Sequence, residues 1–271
     1  MNLDLHVHST FSSDARASMQ QQCEQAVQLG IRYLCFTDHM DWFTHDRPIP
    51  FDGLDAYFSE LQRLQKAFAG RLTILAGAEF GEPHLHEKKL EQLLQYPFDM
   101  VMGSLHGIQD RNGTALVHTA KEHGWTLERT YRAYWNEMEI IAQMDGLDVI
   151  GHLDLPIRSY HELWMDDAQI QRIMRHLCDH HTALEINTSA LRKGGFTLMP
   201  DIPLLSYYQE AGGIYVTLGS DAHSAKELGK DLNRAAQTAD LCGLKLCYFH
   251  RHQCCEVEMF GPAVFALPSN F

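Results

Sequence analysis

Seven short apolar runs in this 271-residue chain each end in side chains that can hold a metal ion or move a proton. His6 and His8 close LDLHV, Asp38 and His39 follow YLCFT, and Glu79 stands at the end of LTILAGAEF. His106 follows DMVMGSL, His152 and Asp154 close LDVIGHL, Asn187 lies in TALEINT, and Asp221 and His223 follow IYVTLGS. On extended backbone, residues two apart face the same way, so His6 and His8 can offer two imidazoles to one cation. Asp221 and His223 can do the same where strand geometry persists. Glu79 sits among apolar residues, where an unpartnered carboxylate is costly, so it needs a cation or a hydrogen-bond donor. Each group alone has an ordinary alternative: a lone histidine such as His106 is more often a loop or core residue, and Glu79 could belong to a structural salt bridge. Seven separate strand ends that all carry ligand-type side chains are hard to explain without metal.

The elements that must position these residues follow from periodicity. Between the apolar runs, residues 19–29, 54–68, 127–144, 170–177 and 202–211 show apolar spacing of three to four, which predicts helices. Strand and helix alternating along the chain predict a parallel sheet of the α/β class, closed as a distorted (β/α)7 barrel like a TIM barrel. In such a barrel the C-terminal strand ends converge on one face, so residues far apart in sequence meet in one pocket. Residues 1–271 are read as one domain, with a further short strand, KLCYF, and a tail from about residue 244. The Pro- and Asp-rich stretch from Trp42 to Gly53 reads as a long loop near the mouth.

Composition narrows the function classes. A formal net charge of -13 argues against a nucleic-acid partner, which needs a basic face. Carboxylates gathered for cations account for some of that charge and solvated surface for most. Histidine is the outlier at 17 residues. The seven scattered cysteines form no CxxC pair, the N-terminus lacks the basic-then-apolar pattern of a secretory leader, and no apolar stretch is long enough to span a membrane. These features predict a reduced cytoplasmic protein without membrane or nucleic-acid partners. A monomer or homodimer is expected.

LDLHVHSTFSSD, FTDH, GAEF, GSLH, GHLDL, EINTS and GSDAH, in this order across nearly the whole chain, resemble the motifs of the PHP (polymerase and histidinol phosphatase) family. The resemblance implies a distorted seven-stranded barrel with a three-metal cluster at its C-terminal face. It implies His6, His8, Asp14, His39, Glu79, His106, His152, Asp221 and His223 as ligands of three divalent transition-metal ions, zinc, manganese or iron. Asp14 rests on the resemblance alone, because the strand-end pattern does not reach it. Glu79 as a bridge between ions is likewise implied by the family, and Glu79, Asp221 and His223 are the residues expected to carry catalysis, with Asp221, or water on a metal, managing the leaving group's proton.

Within the family, GHLDLPIRSY and EINTSALRKGG are most similar to histidinol-phosphate phosphatases, which implies hydrolysis of L-histidinol phosphate to L-histidinol and phosphate in histidine biosynthesis. Arg158 and Arg192, a few residues past ligand-bearing strands, are then expected to grip the phosphate with forked donors, and Gly194 and Gly195 to let backbone approach an anion. A family enzyme acting on nucleotides or other small phosphate esters is the alternative, and a non-catalytic metal-binding module the second. His84 and His86 read as a solvated loop near the mouth, and FHRHQCC, residues 249–255, as structural because it lacks zinc-finger spacing.

Overall fold

Amphipathic segments alternating with aliphatic runs build a mixed α/β fold in the computed structural model, which describes residues 2–42 and 51–257. The strands are β1 (Leu3–Val7), β2 (Tyr33–Met40), β3 (Thr73–Gly81), β4 (Met100–Ser104), β5 (Gly107–Asp110), β6 (Gly113–Leu116), β7 (Val149–Ile150), β8 (Ala183–Asn187), β9 (Tyr215–Gly219), β10 (Lys245–His250) and β11 (Gln253–Glu256). The helices are α1 (Met19–Leu29), α2 (Leu54–Ala67), α3 (Glu87–Leu93), α4 (Leu127–Ile141), α5 (Ile157–Tyr160), α6 (Asp167–Asp179), α7 (Ser189–Arg192), α8 (Ile202–Glu210) and α9 (Leu232–Leu241). Nine strands form one sheet in the order β1-β2-β3-β4-β7-β8-β9-β10-β11. It is parallel up to β10, and only β11 runs antiparallel.

All seven expected strands are present, KLCYF is β10, and the five expected helices are α1, α2, α4, α6 and α8. Two features were not anticipated. GIQD and GTAL pair as an antiparallel hairpin of their own, and QCCE folds back on β10. Both are short and largely polar, so they carry no apolar alternation to announce a strand. Of the stretch from Trp42 to Gly53, residues 43–50 lie outside the described residues, as does the tail beyond residue 257; Phe51–Gly53 is a single 3-10 turn.

The strands β1 and β9 share no ladder. They are linked where they leave the sheet: Val7 bridges Ala222, the His8 N–H donates to Ala222 O at 3.0 Å, and the Asp221 N–H donates to His6 O at 2.8 Å. This link brings the two ends of the chain's ligand motifs side by side. At the opposite end of the sheet, Asp99 and Asp148 precede β4 and β7. Asp148 Oδ2 accepts from the Val101 N–H at 2.7 Å and lies 2.8 Å from His252 Nδ1, and Asp99 Oδ1 lies 2.9 Å from His250 Nδ1. Histidines of the 249–255 stretch therefore latch the β10–β11 hairpin to the far end of the sheet. None of the seven cysteines forms a disulfide.

Helix boundaries follow local chemistry. Ser18 and Gln21 form a capping box at the start of α1, and Gly30, with φ 73°, closes it in a left-handed turn. One apolar cluster packs the helices on the sheet, with Tyr57 of α2 and Tyr131, Tyr134 and Trp135 of α4 fully buried. Gly77 marks the tightest contact between β2 and β3: a Cβ there would lie 2.6 Å from Cys35 Sγ and 2.8 Å from Phe36 O. The carbonyl belongs to the backbone and cannot swing aside, so Gly77→Ala is expected to cost about 1–3 kcal/mol by overpacking, measured as a lower urea midpoint. An unchanged midpoint would mean that β2 and β3 separate freely.

Candidate active site

The C-terminal strand ends gather their polar residues around one carboxylate. Glu79, 1% exposed at the end of β3, has five imidazoles about its two oxygens. His152 Nε2 lies 2.8 Å and His106 Nε2 3.2 Å from Oε1, which also accepts from Ser104 Oγ at 2.7 Å. His39 Nδ1, His6 Nε2 and His8 Nε2 lie 3.0, 3.3 and 3.5 Å from Oε2, yet Oε2 makes no hydrogen bond. Asp221 Oδ1 is 3.4 Å from His8 Nε2 and 3.4 Å from His223 Nδ1, and Asp14 Oδ2 is 2.8 Å from His223 Nε2 and 3.7 Å from His39 Nε2. The structure thus brings together His6, His8, Asp14, His39, Glu79, His106, His152, Asp221 and His223.

The electrostatics are those of a crowded charge cluster. Burial works against the Glu79 carboxylate, but His6, His106 and His39 outweigh it and hold its pKa well below the usual range. Burial likewise disfavours charge on His39, while Glu79 and Asp14 raise it to about 10. His8 moves the other way, lowered by burial and by repulsion from His223 and His39. Nitrogens also face one another: His6 Nε2 and His8 Nε2 are 3.1 Å apart, His106 Nε2 and His152 Nε2 3.4 Å. Two imidazole lone pairs at such distances need a proton or a cation between them.

Several strand-end residues stand behind this cluster. Asp38 accepts from the Ser9 and Ser12 N–H groups at 2.7 and 3.1 Å and from their hydroxyls at 2.8 and 2.7 Å, tying down the loop that carries Asp14. Asn187 donates to Glu185 Oε1 at 3.0 Å, and burial raises the Asp154 carboxyl to about 8. His152 and Asp221 both adopt left-handed backbone, with φ 26° and 53°. Such conformations are costly outside glycine and persist only where surroundings impose them.

The cluster floors a cavity of about 440 Å³ whose other walls include Asp41, His118, Leu155, Arg158, Ser159 and Lys193. Arg158 reaches it as expected, its Nη1 3.6 Å from Asp221 Oδ2. Arg192 does not. Its guanidinium runs back from α7 to donate to Ser220 O, with Thr188 Oγ1 and Asp221 O each 3.5 Å away, and it is absent from the cavity wall. The short helix directly after β8 turns Arg192 toward the β9 exit and presents the next residue, Lys193, to the cavity. Neither His84 nor His86 lines the cavity: His84 is no solvated residue but is buried against Glu137 at 3.1 Å, and the His86 ring packs on Trp42.

Sequence patterns missed the residues that support the cluster. Asp41 Oδ2 lies 2.8 Å from His106 Nδ1, Glu185 Oε1 lies 2.8 Å from His6 Nδ1, and Glu82 Oε1 accepts from the His106 and Gly107 N–H groups at 2.7 Å each. Their only sequence signal was charge inside or beside apolar strands, the same that singled out Glu79.

Residues 4–189 match the family model of the PHP domain. The chain belongs to the PHP domain family. A probable histidinol-phosphatase of Deinococcus radiodurans is 30% identical over 253 residues, covering 92% of this chain and 96% of that one. The histidinol-phosphatase of Lactococcus lactis is 30% identical over 250 residues, covering 86% and 88%. The crystal structure of the Lactococcus lactis histidinol phosphate phosphatase, complexed with zinc, L-histidinol and phosphate, superposes with a TM-score of 0.78 at 25% identity, covering 94% of this PHP chain and 98% of that chain.

A pH dependence follows for the chelated protein. The folded pKa of His39 lies above its ordinary value of 6.5, at about 10, so its ion pairs stabilise the fold fully below pH ~6.5 and are lost as pH rises toward ~10. Melting of chelated protein is expected to fall by several degrees across that window, since ~1 kcal/mol moves Tm by about 2–4 °C at this size. A flat Tm would mean that the imidazoles are neutral when folded.

Proposed function

We propose that this protein is a metal-dependent phosphomonoesterase that hydrolyses L-histidinol phosphate to L-histidinol and phosphate, a histidinol-phosphatase of histidine biosynthesis. The observation that carries this reading is Glu79 set among five imidazoles on the floor of a cavity that Arg158 and Lys193 also line. The relatives named histidinol-phosphatase, and the Lactococcus lactis structure holding zinc, L-histidinol and phosphate, support the substrate.

The donor set fits divalent transition ions. Six imidazoles and three carboxylates converge, and Glu79 Oε2 and His39 Nδ1 are buried without hydrogen bonds although 3.0 Å apart. Mixed nitrogen and oxygen donors suit zinc, manganese or iron better than magnesium or calcium. His6, His8, Asp14, His39, Glu79, His106, His152, Asp221 and His223 would hold up to three such ions, which when bound supply positive charge for the phosphate dianion and lower the pKa of water to ~7. Arg158 grips phosphate oxygens with its planar fork and Lys193 adds a point charge beside it. Asp221, whose Oδ2 faces Arg158, handles the proton that the departing alkoxide takes up. His223 steadies both Asp221 and Asp14. Arg192 acts at one remove, fixing the Ser220–Asp221 backbone. The link between β1 and β9 supports a distorted (β/α)7 barrel, with β10 and β11 outside the ring. Among the described residues no helix is long and apolar enough to cross a membrane.

Turnover of L-histidinol phosphate by purified protein, set against a nucleotide panel, tests the assignment. Chelation is expected to abolish it, and zinc, manganese, iron or cobalt to restore it. Full activity after thorough demetallation, or turnover of nucleotides alone, would overturn the proposal.

The two arginines are expected to separate kinetically. Arg158→Ala should lower kcat/KM by roughly thirty to several hundred fold, about 2–4 kcal/mol, chiefly through KM, and Arg158→Lys should recover part of it. Arg192→Ala should lower kcat with little change in KM, because it loosens Asp221 without touching phosphate. A KM effect confined to Arg192→Ala would return the phosphate grip to that residue.

A further inference from the structure

The most completely defined polar group that the proposed chemistry leaves unused is Glu185, in the middle of β8 and fully buried. Its two oxygens serve different elements. Oε1 lies 2.8 Å from His6 Nδ1 on β1 and 3.0 Å from Asn187 Nδ2, and Oε2 accepts from the His152 N–H at 2.7 Å, where the backbone has φ 26°. The far ends of these same two histidines converge on Glu79: His6 Nε2 is 3.3 Å from its Oε2, and His152 Nε2 is 2.8 Å from its Oε1. One carboxylate behind the pair thus mirrors one carboxylate in front. β9 leaves room for it, since a Cβ at Gly219 would fall 1.9 Å from Glu185 Oε1.

The His152 N–H and Asn187 Nδ2 are fixed donors, and an ionised carboxylate accepts from His6 Nδ1 as well, whereas a carboxamide cannot accept from all three. His6 Nδ1 must carry its proton to make this bond, which leaves Nε2 bare and aimed at Glu79. The bond from Oε2 helps hold the positive-φ backbone at His152, a conformation uncommon outside glycine that persists where surroundings fix it.

We infer that Glu185 is a positioning residue of the proposed metal centre, fixing the tautomer of His6 and the backbone of His152 so that both imidazoles turn Nε2 toward Glu79. This rests on the metal-dependent reading above, and the test separates the two. Zinc binding alone is measured by competition with a chromophoric chelator in wild type, Glu185→Gln and Glu185→Asp, with the melting temperature of chelated and zinc-loaded protein beside it. Wild type that binds no zinc would overturn the reading of the whole site. With wild type binding, Glu185→Gln is expected to weaken zinc ten- to a hundredfold and to shrink the zinc-induced rise in Tm, because outer carboxylates contribute that much to a histidine-rich site. Glu185→Asp should restore part of the affinity. Equal zinc affinity in Glu185→Gln, or a lower Tm of chelated protein with the zinc-induced rise intact, would make Glu185 a packing residue and overturn the inference. Nitrogen NMR of zinc-loaded wild type needs no variant to fold: the His6 ring is expected to carry its proton on Nδ1. A proton absent from that nitrogen would equally overturn it.

Discussion

Everything at the functional face depends on the need to neutralise Glu79 out of water. A buried carboxylate is tolerated only where opposite charge or donors reach it, and here one of its oxygens has three imidazole nitrogens within 3.5 Å and no hydrogen bond from any of them. In the absence of metal, the matching charge is protons shared among histidines, which is why neighbouring imidazoles are driven in opposite directions, His39 up and His8 down. In the proposed metal site, ions would compete with protons for the same nitrogens, so loading the site and discharging the histidines would be one event.

That cluster would collapse without a rigid surround. Asp38 ties the loop bearing Asp14, Asp41 and Glu185 each hold the far nitrogen of a histidine, and Glu82 fixes the backbone at His106. Each comes from a strand or its exit, so the precision of the site derives from the register of the parallel sheet. The two ends of that sheet have divided roles. Carboxylates at the strand starts, Asp99 and Asp148, tie neighbouring strands together and latch a hairpin, while carboxylates at the strand ends surround the histidine cluster.

Much of this was legible in the sequence because two simple periods run through it. Apolar runs with a polar terminus located the seven strands and the histidines on them, and the three-to-four spacing located α1, α2, α4, α6 and α8. Where polar short strands replace apolar ones, as in β5, β6 and β11, the period vanishes and so did the expectation. Residues behind the cluster were hidden for another reason: Glu185 and Asp41 differ from a surface carboxylate only in what surrounds them, and surroundings are set by strands distant in the chain. Arg192 illustrates the limit of proximity in sequence. It follows a ligand-bearing strand closely, as Arg158 does, but a single helical turn aims it at the Ser220 carbonyl and gives the cavity to its neighbour Lys193.

The link between β1 and β9 has a consequence for how the molecule is made. His6 and His8 leave the ribosome first among the metal-binding candidates and Asp221 and His223 last, yet His6 O and the Asp221 N–H are direct partners at 2.8 Å. No N-terminal fragment ending before β9 can complete the cluster, and the earliest imidazoles must wait for more than two hundred residues of synthesis before their partners exist. Completion of the cluster is therefore a late event in the life of the nascent chain, and a prematurely ended polypeptide is left with a half-built, charge-frustrated pocket rather than a weaker enzyme.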